Sequence, residues 1–376
     1  MSREQIYTWR EQIAQHFAGL GAWQALNLAI YSLGVMAARH CSPSRVSEKL
    51  GIIGKPMTVQ RRLERWIDNV RIDKRLCCQS WVSWLLGRVK SKRIILLVDE
   101  TKLGKCLSVM MVGLAYHNCC IPLAWWCYHE KAWPMKQVDL IGELLSWVAV
   151  GVPAGCVPLV QADRGIGCSP DLVRVVRRLG WRYLFRVQKS THFRTSQGKE
   201  HRLMDLIMPG QCWSGSGYIF KKAGWLPATV HLIWLARYAE PWCLITNDPA
   251  IPGQAYALRF WQEAGFRDLK SDGWQWHTSH IFTPDHADRL LLVLALATAL
   301  TLTAGTLALS DPASFPVLKL NHSRTPFSLF RLGLRLLDFL KEHGFQFVLA
   351  VFCSISFPSL SAPATSPPLF PKSVGA

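Results

Sequence analysis

The hydrophobic positions divide the chain into an early helical stretch, a middle that alternates strands with helices, and a later β-rich segment. Ile6, Trp9, Ile13, Phe17 and Leu20 recur at helical spacing, and so do Trp23, Leu26, Ile30 and Leu33. Ser42-Pro43 sets a cap before a proline at the first helical position, and Gly51 can close that short helix. A further helix begins near Thr58, with Leu63, Trp66 and Val70 on its apolar side. Arg61, Arg62 and Arg65 lie on or near its opposite side. Two short helices joined by a glycine-containing turn, the second rich in arginine, fit a helix-turn-helix, and the three arginines are candidate phosphate contacts.

The period then changes. Ile94-Ile-Leu-Leu-Val98 is an unbroken apolar run that predicts a buried strand, and it stops at Asp99. Strand-like runs over 106–116 and 121–128 follow, joined by a turn at His117-Asn118. Pro134 opens a helix carrying Val138, Ile141, Leu145 and Val148. Residues 157–162 read as a strand that again stops at a carboxylate, Asp163. Ser169-Pro170 caps the next helix and Gly180 ends it. Trp181, Tyr183, Phe185 and Val187 then alternate as one face of a strand. Strand, strand, strand, helix, strand, helix, strand is the order of a ribonuclease-H-like α/β fold. That fold carries one acid at the end of its first strand and another at the end of its fourth. Asp99 and Asp163 hold those places in this reading. Glu100 is the rival to Asp99, and alternation across a strand allows only one of the two to face a common site.

From 188 to 248 the pattern is β-rich, with Gly215-Ser-Gly217, Gly224 and Pro227 as turn signals. The span from Leu290 to Leu309 is 20 residues without a charge, long enough to cross a bilayer. Its four threonines and one glycine, and its place in a basic chain, predict instead a helix buried in a large core. Pro326 opens a helix with Leu329, Leu332, Leu336 and Leu340. The Pro/Ser/Ala-rich residues from Phe357 predict a disordered tail.

Candidate chemistry gathers on Tyr256–Lys270. Tyr256, Arg259, Glu263 and Lys270 stand at i, i+3, i+7 and i+14, which at about 3.6 residues per turn is one face of a helix. Such a face suits a phosphodiester. Arg259 offers a bidentate fork and Lys270 a point charge, Tyr256 a phenol, and Glu263 a carboxylate for a metal ion. Asp268 and Asp272 are weaker rivals to Glu263. Asp99, Asp163 and Glu263, from two strand ends and one helix, can hold two divalent ions about 3.5–4 Å apart, with Asp99 bridging them. Mg²⁺ suits such oxygen ligands, and Mn²⁺ is a possible substitute. Arg164 is a further phosphate candidate. The formal net charge of +18 points to a polyanionic partner, most simply nucleic acid. Residues 1–95 alone hold 16 Lys+Arg against 6 Asp+Glu. Twelve cysteines without a zinc spacing read as free thiols of a reducing compartment. The polar start, Met1–Arg10, predicts no signal peptide.

The Tyr256–Arg259–Glu263–Lys270 series, Asp99-Glu-Thr, Ala162-Asp-Arg-Gly and Thr246-Asn247 together resemble DDE transposases of bacterial insertion sequences, in the branch called insertion-sequence family four. The resemblance implies a transposase that cleaves the ends of its element and joins them to target DNA by two-metal phosphoryl transfer. It implies terminal inverted repeats and target DNA as partners, a homodimer in the DNA complex, no membrane, and a bacterial cytoplasmic, nucleoid-associated setting. The expected organisation is a helical DNA-binding domain over 1–88 and a ribonuclease-H-like core over 89–187 and 249–310. A β-rich insertion over 188–248, a C-terminal helical region over 311–356 and a tail over 357–376 complete it. In relatives that form a DNA hairpin, an aromatic of that insertion stacks on a flipped base, which makes Trp225, Trp234 and Trp242 candidates. The alternatives are a nuclease of the same fold without strand transfer, and a DNA-binding regulator that has lost catalysis.

Overall fold

The N-terminal periodicity resolves into five helices: α1 (Arg3–His16), α2 (Ala22–Ala38), α3 (Pro43–Ser47), α4 (Pro56–Asp68) and α5 (Lys74–Leu86). Ser2 caps α1 and Asp73 caps α5, each accepting a first-turn N–H that the helix leaves unpaired. These helices come from a computed structural model that describes residues 2–236, 238–311, 315 and 328–351. The architecture is mixed α/β with a large mixed sheet. The chain divides into two compact units. Unit 1 combines residues 1–156 with 261–356, and unit 2 holds 157–260.

In unit 1 the helices share a core with a three-stranded antiparallel ladder: β1 (Ile95–Leu103), β2 (Leu107–Tyr116) and β3 (Cys119–His129). Helix α6 (Gln137–Ala149) packs on β2 and β3. The strand expected to stop at Asp99 continues to Leu103, and its register with β2 is unbroken from Leu96↔Leu114 to Leu103↔Leu107. An acid in a strand does not end the ladder, because its backbone N–H and C=O still pair. Thr101 and Leu103 return to the buried face, so Asp99 lies mid-strand.

The uncharged stretch is the greater part of α10 (Pro284–Ser310), which packs on β3, α2 and α4. It is a helix long and apolar enough to cross a membrane, yet its residues from Leu290 to Gly305 are all buried inside unit 1. Gly305 and Gly333 let α11 (Leu329–Glu342) lie against it. A Cβ at Gly305 would stand 2.2 Å from the Leu329 carbonyl oxygen, and one at Gly333 would stand 1.9 Å from that of Thr301. At its N-terminal end α10 carries Asp288, whose side chain is only 2 % exposed. Lys74 Nζ pairs with it at 2.9 Å, and the Cys127 N–H donates to it at 2.8 Å. The same ammonium lies 3.4 Å above the Trp126 ring centroid. This buried pair ties α5, β3 and α10 together.

Unit 2 is built on a sheet in the order β4-β5-β10-β9-β8-β6-β7. Its strands are β4 (Leu159–Ala162), β5 (Arg182–Arg186), β6 (His192–Thr195), β7 (Glu200–Arg202), β8 (Cys212–Ile219), β9 (Leu226–Ile233) and β10 (Trp242–Thr246). β4 and β5 run parallel, joined through α7 (Arg164–Gly167) and α8 (Pro170–Arg178). The later pairings are antiparallel. The β-rich segment expected from 188 to 248 is therefore present, continuous with β5 through β10. The element order from β1 to β5 is the one read from the sequence, with the single turn of α7 added. The boundary expected at residue 88 falls inside unit 1, and that expected at 188 falls inside unit 2. The expected tail over 357–376 lies outside the described residues, and the described cysteines are all free thiols.

Candidate functional site

Unit 1 holds Asp99, Glu263 and Lys270, and unit 2 holds Asp163, Arg164, Tyr256 and Arg259. The signature segment is helical throughout but not one uniform α-helix. Gly253–Arg259 is a 3₁₀ helix, α9 (Phe260–Arg267) is regular, and Asp268–Asp272 opens into a π turn. The face drawn at 3.6 residues per turn is thus overwound before Glu263 and underwound after it. Tertiary packing overrides the local spacing here.

In unit 1, two glycines that the sequence reading did not single out carry α9. A Cβ on Gly113 of β2 would meet Cys120 Sγ at 2.1 Å and Gln262 Oε1 at 3.0 Å. A Cβ on Gly265 of α9 would meet Cys120 Cβ at 2.7 Å. Cys120 Sγ donates to Gln262 Oε1 at 2.8 Å, and burial pushes that thiol well above its ordinary pKa, so it stays protonated. With Gln262, Gly265, Phe266 and Leu269 buried, the opposite face of α9 turns Glu263 and Arg267 outward. The only sequence cue to this contact is a glycine inside a strand pattern, which marks close approach of another element.

Asp99 accepts the Glu100 N–H at 3.0 Å. Lys270 Nζ donates to Thr101 Oγ1, two residues along β1. Burial pushes the Lys270 pKa down, and Asp99 opposes that shift, so the ammonium stands in the field of the Asp99 carboxylate. Glu100 instead faces Tyr128. Alternation along β1 thus separates the two acids, with Asp99 on the Lys270 side.

In unit 2, Asp163 follows β4 directly and caps α7, its Oδ1 accepting the Ile166 N–H at 3.1 Å. Its Oδ2 lies 3.8 Å from Arg259 Nη2, whose side chain is only 11 % exposed. Arg259, at i+4 spacing from Glu263, thus also reaches the second aspartate. Tyr256 is buried, its ring edge-on to Trp242 with centroids 5.3 Å apart. Arg164 is tied to Glu240 at 3.0 Å, and Lys189 holds the other oxygen of that carboxylate at 2.9 Å. Among the aromatic candidates, Trp225 lies under the Arg194 guanidinium at 4.7 Å, and Trp234 Nε1 donates to the Tyr238 carbonyl at 2.8 Å.

Asp268, the rival to Glu263, is buried at the start of the π turn. Burial, with the nearby Asp272 carboxylate, pushes its pKa up to about 7, against the pull of Arg267 and Arg331. An unfolded aspartate ionises at about 4. Between about pH 4 and pH 7 the unfolded chain therefore loses a proton that the folded chain keeps, and this group's contribution falls as pH rises through that window. The fall is at most ~4 kcal/mol, from about three pH units at 1.4 kcal/mol each. Asp268→Asn should raise the melting temperature by several degrees at pH 8 and scarcely change it at pH 4. Equal shifts at both pH values would contradict this.

Among the described residues no group of three or more His, Cys, Asp and Glu side chains is arranged to hold a metal ion. The donor chemistry of Asp99, Asp163 and Glu263 does suit Mg²⁺ or Mn²⁺. All three offer hard carboxylate oxygens, and the soft donor beside Asp99, Cys120, is kept as a thiol by burial. Arg61 and Arg65 are exposed on α4, whereas Arg62 is half-buried and donates to Asn27 Oδ1 at 2.5 Å. No family model matches the chain, and no curated protein matches it.

Proposed function

We propose that the protein is a DNA transposase of the DDE type, which cleaves the ends of an insertion sequence and joins them to target DNA. The observation that carries this reading is the Tyr256–Arg259–Glu263–Lys270 series, in a chain where Asp99 lies in the first strand and Asp163 directly follows the fourth. The strand-and-helix order through β5 and the formal charge of +18 support it.

Asp99, Asp163 and Glu263 would hold the divalent ions. When bound, such ions activate the attacking oxygen and stabilise the leaving one. Lys270, its charge directed toward Asp99, offsets the repulsion between that carboxylate and an incoming phosphodiester. Arg259, held beside Asp163, does the same at the second acid and presents a planar fork to phosphate oxygens. Glu263 is exposed on α9, while the Cys120–Gln262 bond on the opposite face anchors the helix.

The direct test is a strand-transfer assay with pre-cleaved ends, whose sequences are the short inverted repeats flanking the coding region. Metal-dependent joining through a 3′-hydroxyl is expected. Cleavage without joining would leave a nuclease, and salt-dependent binding without either would leave a regulator. Arg259→Ala should slow cleavage or joining about ten- to a hundredfold, from the roughly 1.5–3 kcal/mol of a charge-assisted hydrogen bond. Wild-type rates in that variant would reduce Arg259 to a structural partner of Asp163.

A further inference from the structure

Trp23 opens the first turn of α2 and is 73 % exposed, an unusual position for the largest apolar side chain. The Arg62 guanidinium from α4 lies over its ring, 5.9 Å from the centroid. Arg62 Nε is fixed by Asn27 Oδ1, so the plane of the guanidinium is set before any ligand arrives. Its Nη2 is shielded from solvent and has no acceptor among the described residues. Arg62 also lines a cleft of about 140 Å³ together with Arg3 and Tyr7, and Tyr7 is itself 50 % exposed. Trp23 itself lines a second cleft, together with Arg71, Gly21 and Asn69. Arg65 stands close enough to Arg62 to act on its charge. Neither cleft is lined by an acid.

We propose that Tyr7, Arg62, Trp23 and Arg71 form a continuous DNA-binding strip, in which Arg62 contacts a backbone phosphate and Trp23 packs on the adjoining sugar or base. The inference rests on the reading that the chain binds DNA, and it assigns that binding to a surface of its own within unit 1. Cations select a polyanion, exposed aromatics at a cation's side select a partner with flat or apolar surface between its charges, and nucleic acid offers both. Trp23 gains a second face to match the one that Arg62 already covers.

The two residues carry different physics, and their variants differ accordingly. A phosphate contact releases a counterion, whereas stacking does not. Binding of the full-length chain to a 30-base-pair duplex, followed by fluorescence anisotropy between low and moderate salt, reads both quantities. Arg62→Gln should weaken binding and lower the slope of log K against log[salt] by about one. Trp23→Ala should weaken binding about five- to tenfold with the slope unchanged, and Trp23→Phe should restore most of the loss. Thermal unfolding of each variant checks the fold, and Trp23, 73 % exposed, can be removed without opening the core. Wild-type affinity and slope in Trp23→Ala and Arg62→Gln would overturn the strip while leaving the transposase reading in place. A wild-type chain with no salt-dependent DNA binding would overturn both.

Discussion

Asp99→Asn is expected to abolish metal-dependent DNA cleavage and joining while leaving DNA binding and the fold nearly intact. The exchange keeps the side-chain shape and the acceptor oxygen for the Glu100 N–H, so the β1–β2 ladder has no reason to shift. It removes the charge opposite Lys270. Losing a carboxylate ligand of a divalent ion withdraws several kcal/mol of transition-state stabilisation, which at 1.4 kcal/mol per decade is on the order of a thousandfold in rate. Glu100→Gln supplies the contrast, since Glu100 faces Tyr128 rather than Lys270. It should keep most of the activity. Cleavage rates read on a labelled end substrate decide the matter. Substantial cleavage by Asp99→Asn, or equal losses in the two variants, would remove Asp99 from the metal-binding set.

The second large effect concerns stability. Lys74→Met should destabilise unit 1 by about 3–5 kcal/mol, because it leaves the Asp288 carboxylate buried without its cation. Asp288 would retain the N–H and the thiol of Cys127 as donors, neither of them charged, and Trp126 would lose the ammonium on its face. Burial already pushes the Asp288 pKa up, with Lys74 opposing it. Without Lys74 the carboxyl takes up a proton more readily, so the loss should shrink as the solution is acidified. Urea unfolding at pH 5 and pH 8 tests both parts. A cost below about 1 kcal/mol at pH 8 would show that the pair behaves like a surface ion pair. The double replacement Lys74→Met, Asp288→Leu should recover much of the stability, as apolar replacements of buried pairs do.

Much of the architecture was legible because periodicity and capping are local. The strand runs before Asp99 and Asp163, the Ser169-Pro170 cap and the β-rich stretch after 188 each became the element their pattern predicted. The uncharged run at 290–309 was legible too. Its composition left only a bilayer or a large core to cover it, and α2, α4, α11 and β3 supply the core in unit 1. That same packing places residue 88 inside unit 1. A helix apolar all round needs partners on every side, and α10 takes α2 and α4 from the N-terminal set.

Among the candidate site residues, the sequence by itself determined the residue types and their order: two aspartates each preceded by an apolar strand run, then a phenol, two cations and a glutamate at helical intervals. The finer placement was decided only in three dimensions. The helix carrying Glu263 changes from 3₁₀ to α to π along its length, and its approach to β3 depends on the missing side chains of Gly113 and Gly265. Arg259 is drawn to Asp163 and Arg164 to Glu240, pairings between residues 96 and 76 positions apart in the chain. Periodicity reports which face of an element a residue occupies. It carries no information on which distant charge will stand opposite, because that depends on how packed elements meet, and Coulomb attraction follows distance in space rather than along the chain.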